Sequence, residues 1–556
     1  MIESRYLNKV VAILMVLALV LSAMLVLLAG LGATSKVMAY ESKLFGEEVV
    51  ILDIQVDEAD WQSLLDDPSA KTYIPADLTI NGETYEAVGM RTKGNSSLTQ
   101  VEQMQDSNRY SLHFKFNKYQ KGRTYYGLDS FCINNMLGDT TYMKDYLAYE
   151  IMDYIGVPSP LRNYAKVTVN GEDYGFFMVL ERYEKSFLDR VYSTSGGQLY
   201  NVKIQMGHRE DFMDQKMDQD QALPDLPPDL PEEWAGAEDF QPGQGDENRP
   251  SMPGQGNQPS RGQYEGFRPG GQGQMQERPG QNHSGDQMGM TASRGGGDLV
   301  YTDDKIESYS SIFDNAEFKK NSDQDKRRVI TALKNLNEGT DLETYFDVDG
   351  ILRYLAAHTV LVNLDSYSSS MAQNYYLYEK DGKISILPWD YGLSFGGFQS
   401  NSAQSVINFP ISTPVSGVTM ESRPLINQLL EVEEYQESYH EYLNEIVEGY
   451  FNSGQFEASI DQLNQKIGGY VKQDSSAFIT YSQYEASLPV LKELGLLRAA
   501  SIEGQLAGSI PSTTEGQSAN PDALISGQGI DLTILGSFMN GGGQPVRSSQ
   551  GEGRRP

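Results

Sequence analysis

The stretch Asn374–Gly392 reads NYYLYEKDGKISILPWDYG. Two apolar and aromatic runs, Tyr375–Tyr378 and Ile384–Leu387, flank Asp381-Gly382. Asp-Gly between such runs marks a two-residue hairpin turn, because both central positions need a positive φ. Asn374 therefore opens a hairpin that Asp390 closes, and the spacing brings the two to one end. Upstream, Asp347–Tyr367 reads as a strongly apolar helix that delivers Asn363-Leu364-Asp365 to the same end, ahead of the polar loop SYSSSMAQ. Two carboxylates and an amide oxygen thus converge. That donor set suits Mg²⁺ or Mn²⁺, hard cations that take oxygen ligands and fill their remaining positions with water and phosphate oxygens. Asp365 and Asp390 could otherwise be a helix terminator and a solvated turn residue, but their order around the hairpin favours a site. His358, inside the apolar helix, reads as packed.

The N-terminal half reads as a small sheet unit with one main helix. Asn81-Gly82 and Asn170-Gly171 each separate alternating runs and predict hairpins. In Arg109–Phe116 the residues Tyr110, Leu112, Phe114 and Phe116 share one face, and Ser111, His113 and Lys115 share the other. Thr140–Gly156 reads as a helix with an apolar stripe, ending at Gly156 before Pro158. The loop RTKGNSS, Arg91–Ser97, offers two cations, backbone amides and hydroxyls that suit phosphate. Arg91, Lys93 and Lys115 are therefore candidate phosphate contacts, with Glu150 on the helix placed to hold Lys115. Each of these also has an ordinary reading as a solvated surface charge.

Composition sets the surroundings. The chain has 556 residues, an apolar fraction of 39% and a formal net charge of −32. Such an acidic chain repels phosphodiester backbones, so nucleic acid is excluded as a partner. A single cysteine, Cys132, rules out an intrachain disulfide and a Cys-rich zinc site, and its apolar context predicts a buried thiol. Arg5 and Lys9 precede an apolar run from Val10 to Leu31, long enough to span a bilayer, with the positive flank predicting that the main body lies outside the cytoplasm. Val37–Ala39 also fits a signal-peptidase site, in which case the body is released rather than anchored. The boundaries expected are a cytoplasmic N-terminus over 1–9, a transmembrane signal anchor over 10–32 and the sheet lobe over 44–210. A disordered Gly/Gln/Pro-rich insert follows over 211–297, then a helical lobe carrying the site over 298–508 and a disordered tail over 509–556.

The order aspartate, asparagine, strand, turn, strand, Asp-x-Gly is also that of the protein-kinase catalytic segment. Taken with MRTKGNSS, with LDSFCINNMLGDTTYMKDYLAYEIMDYIGVPSPLRNYAKVTVNGEDYGFFMVLER and with VNLDSYSSSMAQNYYLYEKDGKISILPWDYGLSFGG, the chain resembles the CotH kinase family of atypical secreted protein kinases, whose namesake is spore coat protein H. The resemblance covers roughly Glu47 to Gly397, the insert apart. It implies an α+β, kinase-like bilobal fold with a β-rich N-lobe and a larger helical C-lobe. It also implies ATP with Mg²⁺ or Mn²⁺ and phosphorylation of serine or threonine in secreted, surface or spore-coat proteins. By position it makes Asp365 the catalytic aspartate, Asp390 the metal aspartate and Asn374 the second metal ligand. The chain departs from ordinary kinases in lacking a Gly-x-Gly-x-x-Gly loop, in carrying Asn-Leu-Asp for His-Arg-Asp, in the longer gap from Asp365 to Asn374, and in Asp-Tyr-Gly for Asp-Phe-Gly. Two rival functions stand beside this one: a catalytically silent surface adhesion or assembly module, and a hydrolase using Asp365 and Asp390 as paired carboxylates.

Overall fold

The computed structural model describes residues 38–104, 106–203, 295–400 and 402–536, and these form an α+β structure. Seven strands close into a barrel in the order β1-β2-β3-β4-β5-β7-β6. They are β1 (Val50–Gln55), β2 (Ile74–Ile80), β3 (Glu83–Thr92), β4 (Leu112–Lys115), β5 (Ser130–Asn134), β6 (Arg162–Val169) and β7 (Glu172–Glu181). The two Asn-Gly hairpins fold as the sequence predicts, with Asn81, Gly82, Asn170 and Gly171 all at positive φ. The same asparagines also help to close the barrel. The Ile51 amide donates to Asn81 Oδ1 at 2.9 Å and the Val56 amide donates to Asn170 Oδ1 at 2.9 Å, so both turns hold the ends of β1. Strand β1 pairs antiparallel with β2 and parallel with β6, which leaves no free edge.

Leu52, Leu78, Met90, Leu112, Phe114, Ile133, Val167, Phe177 and Val179 fill the barrel. Strands β5 and β7 are apolar on their outer face as well, where Cys132, Phe176, Met178 and Leu180 join a second core. A strand buried on both sides reads as a continuous apolar run, as FFMVL does. Helix α1 (Lys144–Tyr154) joins that core with Leu147, Ile151 and Met152, each fully buried, and its Tyr146 stacks on Tyr164, which stacks in turn on Phe176. Burying one such side chain contributes about 1.5–3 kcal/mol.

The second half is built round α3 (Val348–Leu361), whose residues from Tyr354 to Leu361 are all buried. Against it pack α4 (Glu433–Ile446) and α6 (Tyr481–Leu506), and α2 (Asp323–Glu338) and α5 (Gln455–Gln473) join the same core. The hairpin of β9 (Tyr375–Lys380) and β10 (Lys383–Pro388) turns at Asp381-Gly382 as expected. Its free edge is taken by β8 (Gln198–Val202), which comes from before the insert.

Several expectations are corrected here. The β-rich part is a closed barrel rather than a small kinase-type lobe, because β1 finds a second partner in β6. A clearly bilobal layout does not emerge, since β8 completes a sheet with strands from the second half. The tail expected to be disordered from Ser509 is instead packed as far as Gly536. There Leu535 is 1% exposed, the Thr140 amide donates to the Leu535 carbonyl at 3.2 Å, and the Ser412 amide donates to the Ser512 carbonyl at 2.9 Å. Sparse apolar residues suffice because the intervening Ser, Thr and Gln groups find hydrogen bonds. The single-pass membrane anchor is also corrected: among the described residues no helix is long and apolar enough to cross a membrane. The run Val10–Leu31 lies outside the described residues, as does the insert from 211 to 294.

Arg109 fastens the barrel to the loop between α5 and α6. It is 1% exposed and pairs with Asp474 at 2.7 Å, and it also donates to Ser476 Oγ at 2.6 Å and to the Phe176 carbonyl. Gly175 makes room for this, since a Cβ there would sit 2.1 Å from Ser476 Oγ. Asp474→Ala leaves the guanidinium buried and uncompensated, so it should cost about 3–5 kcal/mol in a denaturant-unfolding measurement.

Candidate functional site

Helix α3 ends at Val362, whose φ of 48° turns the chain into Asn363-Leu364-Asp365. Asp365 is partly buried, and both of its carboxylate oxygens are held. Gln373 Nε2 donates to Oδ1 at 2.7 Å, and Asn374 Nδ2 donates to Oδ2 at 2.9 Å and to the Asp365 carbonyl at 2.8 Å. Burial pushes the Asp365 carboxyl up to about 6, with the negative charge of Asp390 adding to the effect. Asn374 sits at φ 61°, and its amide oxygen has no hydrogen-bond partner among the described residues.

Asp390 follows the returning strand at the same open end of the hairpin, where Pro388 pairs with Tyr375, and its side chain is exposed. Its backbone is in the left-handed region at φ 63° and is pinned from three sides. Its amide donates to Tyr149 Oη at 3.0 Å, its carbonyl accepts from Asn363 Nδ2 at 3.0 Å, and the next amide, of Tyr391, donates to Asp145 Oδ1 at 2.7 Å. Asp145 is 7% exposed, and burial followed by the charge of Asp390 raises its carboxyl well above the usual range. Tyr391 Oη in turn bonds His358 Nδ1 at 2.8 Å, and His358 Nε2 bonds Ser368 Oγ at 2.8 Å. His358 is packed as the sequence predicts, and burial lowers its pKa to about 4.

The cations gather on the barrel side. Lys93 Nζ donates to Asn134 Oδ1 and lies 5.8 Å from the centre of the Trp389 ring. The Arg182 guanidinium lies 4.9 Å from the same ring and pairs with Glu317 at 3.2 Å. Arg91 stacks on Tyr73 at 5.2 Å. His113 has its pKa lowered, first by burial and then by the positive charges of Arg182, Arg91, Lys115 and Lys93. In a chain of net charge −32 such a grouping is notable for anion binding.

The hairpin end therefore brings Asp365, Asn374 and Asp390 together, and Lys93 approaches through Trp389. Glu150 does not join them. Lys115 pairs at 2.9 Å with Glu184, which also accepts from Ser130 Oγ, while Glu150 accepts from Tyr450 Oη at 2.8 Å and from Ser459 Oγ on α5. The reason is helical phase: Asp145 and Tyr149 share the face of α1 turned to Asp390, and the next residue points about 100° away. Asp145, Tyr149, Asn134 and Arg182 were not singled out from the sequence. An acid in the first turn of a helix reads as a complement to the helix dipole, and that masks Asp145.

The donor set fits a divalent cation in part. Asp390 is exposed, Asn374 has a free amide oxygen, and the charge of Asp390 is felt by two further carboxylates. No three His, Cys, Asp or Glu side chains converge as a metal site among the described residues. A cation here would thus rely on Asp390 and Asn374 together with ligand oxygens, which is the habit of Mg²⁺.

A protein-family model described as CotH kinase protein matches residues 90–237 and 281–502. Those segments cover more than half of the chain and include every candidate residue above, so the chain belongs to the CotH kinase family. A comparison with curated proteins returns no match.

The raised carboxyl of Asp365 has a consequence for stability. An acid whose folded pKa lies above its unfolded value of about 4 stabilises the fold below that value and loses the contribution as pH rises through the folded pKa. Without divalent cation, thermal melts should therefore show stability falling between pH 4 and the Asp365 value of about 6. Asp365→Asn should flatten that slope.

Proposed function

We propose that the chain is an ATP- and divalent-cation-dependent kinase that phosphorylates serine or threonine in a protein acceptor. The observation that carries this is the geometry of one hairpin end. Asp365 has both oxygens oriented by Gln373 and Asn374, and it adjoins an exposed Asp390 whose backbone is fixed. Membership of the CotH kinase family supports the reaction class.

On this reading the barrel and α1 serve the nucleotide side, and the helices round α3 serve the acceptor side. Asp390, with the amide oxygen of Asn374, would hold a divalent cation, which would supply neutralisation of phosphate charge. Asp365 accepts a hydrogen bond from the acceptor hydroxyl. A carboxyl near 6 is ionised at neutral pH yet basic enough to draw off a proton as the hydroxyl attacks. Lys93 and Arg182 both lie over Trp389, and on this reading they would meet the phosphates. Lys115 is held by Glu184 and adds positive charge to the same side. Catalysis then consists chiefly of positioning and charge stabilisation.

The purified full chain should transfer γ-phosphate to a serine-rich protein in Mn²⁺ or Mg²⁺. Asp390→Ala should abolish transfer, and Asp365→Asn should lower kcat by about 100-fold or more, the usual scale for losing a general base. Undiminished transfer by Asp390→Ala overturns the assignment. A nucleotide-dependent thermal shift without any transfer favours the adhesion or assembly module instead.

A further inference from the structure

We infer that Asp145 is a positioning residue that couples Lys93 to Asp390, so that the phosphate-side lysine and the cation-side carboxylate are set by one buried side chain. The inference rests on the role proposed above for Asp390. It starts from the backbone of Asp390, which holds a left-handed conformation at φ 63°. A residue with a Cβ pays about 1–2 kcal/mol for that conformation, so the surroundings must impose it.

Helix α1 supplies two of the three restraints. Tyr149 Oη accepts from the Asp390 amide and Asp145 Oδ1 accepts from the Tyr391 amide. The two residues are four apart and so lie on the same face of the helix. Asp145 has a second contact: Asn134 Nδ2 donates to its Oδ2 at 3.5 Å, and the Asn134 oxygen accepts from Lys93 Nζ. Gly392 lies against the same carboxylate, where a Cβ would come within 3.6 Å of Oδ2. Asp145 therefore accepts on both sides, from the segment that carries Asp390 and from the strand that orients Lys93.

An amide at this position cannot do both. The Asp145→Asn side chain keeps an oxygen for the Tyr391 amide but turns an NH₂ toward Asn134. Asn134 must then flip, which presents its own NH₂ to Lys93 and breaks that bond. The two substitutions at this residue should thus separate the two functions. Removing the carboxylate loosens both ends, and replacing it with an amide loosens only the lysine.

The test uses the full chain, with Mn²⁺ binding read by electron paramagnetic resonance and steady-state transfer read at saturating Mn²⁺. Asp145→Ala should weaken Mn²⁺ and lower kcat by about 10–100-fold, the range seen when a group orienting a metal ligand is removed. Asp145→Asn should restore most of the Mn²⁺ affinity and of kcat, while its KM for ATP stays raised about tenfold, the scale of one lost charge-assisted hydrogen bond. Tyr149→Phe, which keeps the ring and removes the oxygen, should weaken Mn²⁺ with little change in KM. Melting temperatures accompany each variant. A chain in which Asp145→Ala binds Mn²⁺ and turns over as the wild type does overturns the inference. So does one in which Asp145→Asn and Asp145→Ala lose kcat, KM and melting temperature in parallel, since that is a purely structural defect. If the wild-type chain itself binds neither Mn²⁺ nor ATP, the kinase proposal fails first.

Discussion

Strand β7 is apolar on both faces, and the rest of the arrangement follows from covering it. Phe177 and Val179 point into the barrel, while Phe176, Met178 and Leu180 point out of it. The inner set is covered when the sheet closes on itself. The outer set requires further cover, and it shares its core with α1, whose Tyr146 stacks on Tyr164 as Tyr164 stacks on Phe176. Packing that face fixes the rotation of α1, which then leaves Asp145 and Tyr149 turned toward the Asp390 segment and Glu150 turned toward α5. An apolar demand at the barrel wall thus decides which polar side chains reach the candidate site.

The local features were legible in the sequence, and the long-range ones were not. Asn81-Gly82, Asn170-Gly171 and Asp381-Gly382 announce their hairpins because their chemistry is confined to two residues. The meeting of Asn374 with Asp365 and the approach of Asp390 follow from that hairpin and from the end of α3. The closure of the barrel depends on β1 meeting β6, for which neither strand carries a local signal. Alternation in Arg109–Phe116 marks the strand but does not show that its polar face is covered too: His113 is 5% exposed. Lys115 pairs with Glu184 and not with Glu150, because charge alone does not select a partner and the phase of α1 turns Glu150 toward Tyr450 and Ser459. In the tail, composition alone understates what a few well-placed apolar residues, Ile510 and Leu535 among them, can hold.

Local backbone preference is broken most often where the chemistry is proposed. Val362, Ala372, Asn374, Asp390 and Phe395 all carry a positive φ without being glycine. Each such residue costs of order 1–3 kcal/mol and persists only where its surroundings over-determine it. For Asp390 the determinants are Tyr149, Asp145 and Asn363. Consistency between local propensity and fold is high elsewhere, for instance in α2, which begins at a Ser322 capping box and ends at Gly339. Its loss along 362–395 is what a functional site leads one to expect.

The pairing of β1 with β6 has a consequence for the order in which the molecule assembles. Val50 lies beside Ala165, more than a hundred residues later in the chain. During synthesis the first strand can pair with β2 at once, yet its other edge must wait until β6 emerges. A non-local parallel contact of this kind is slow to form, because the intervening chain must be ordered before the contact rewards it. The nascent protein therefore passes through a stage with an open, apolar strand edge, a state prone to self-association. The same delay recurs at β8, which meets β9 only after the insert has been made. Both late pairings join segments far apart in the chain, the kind of contact that slows folding.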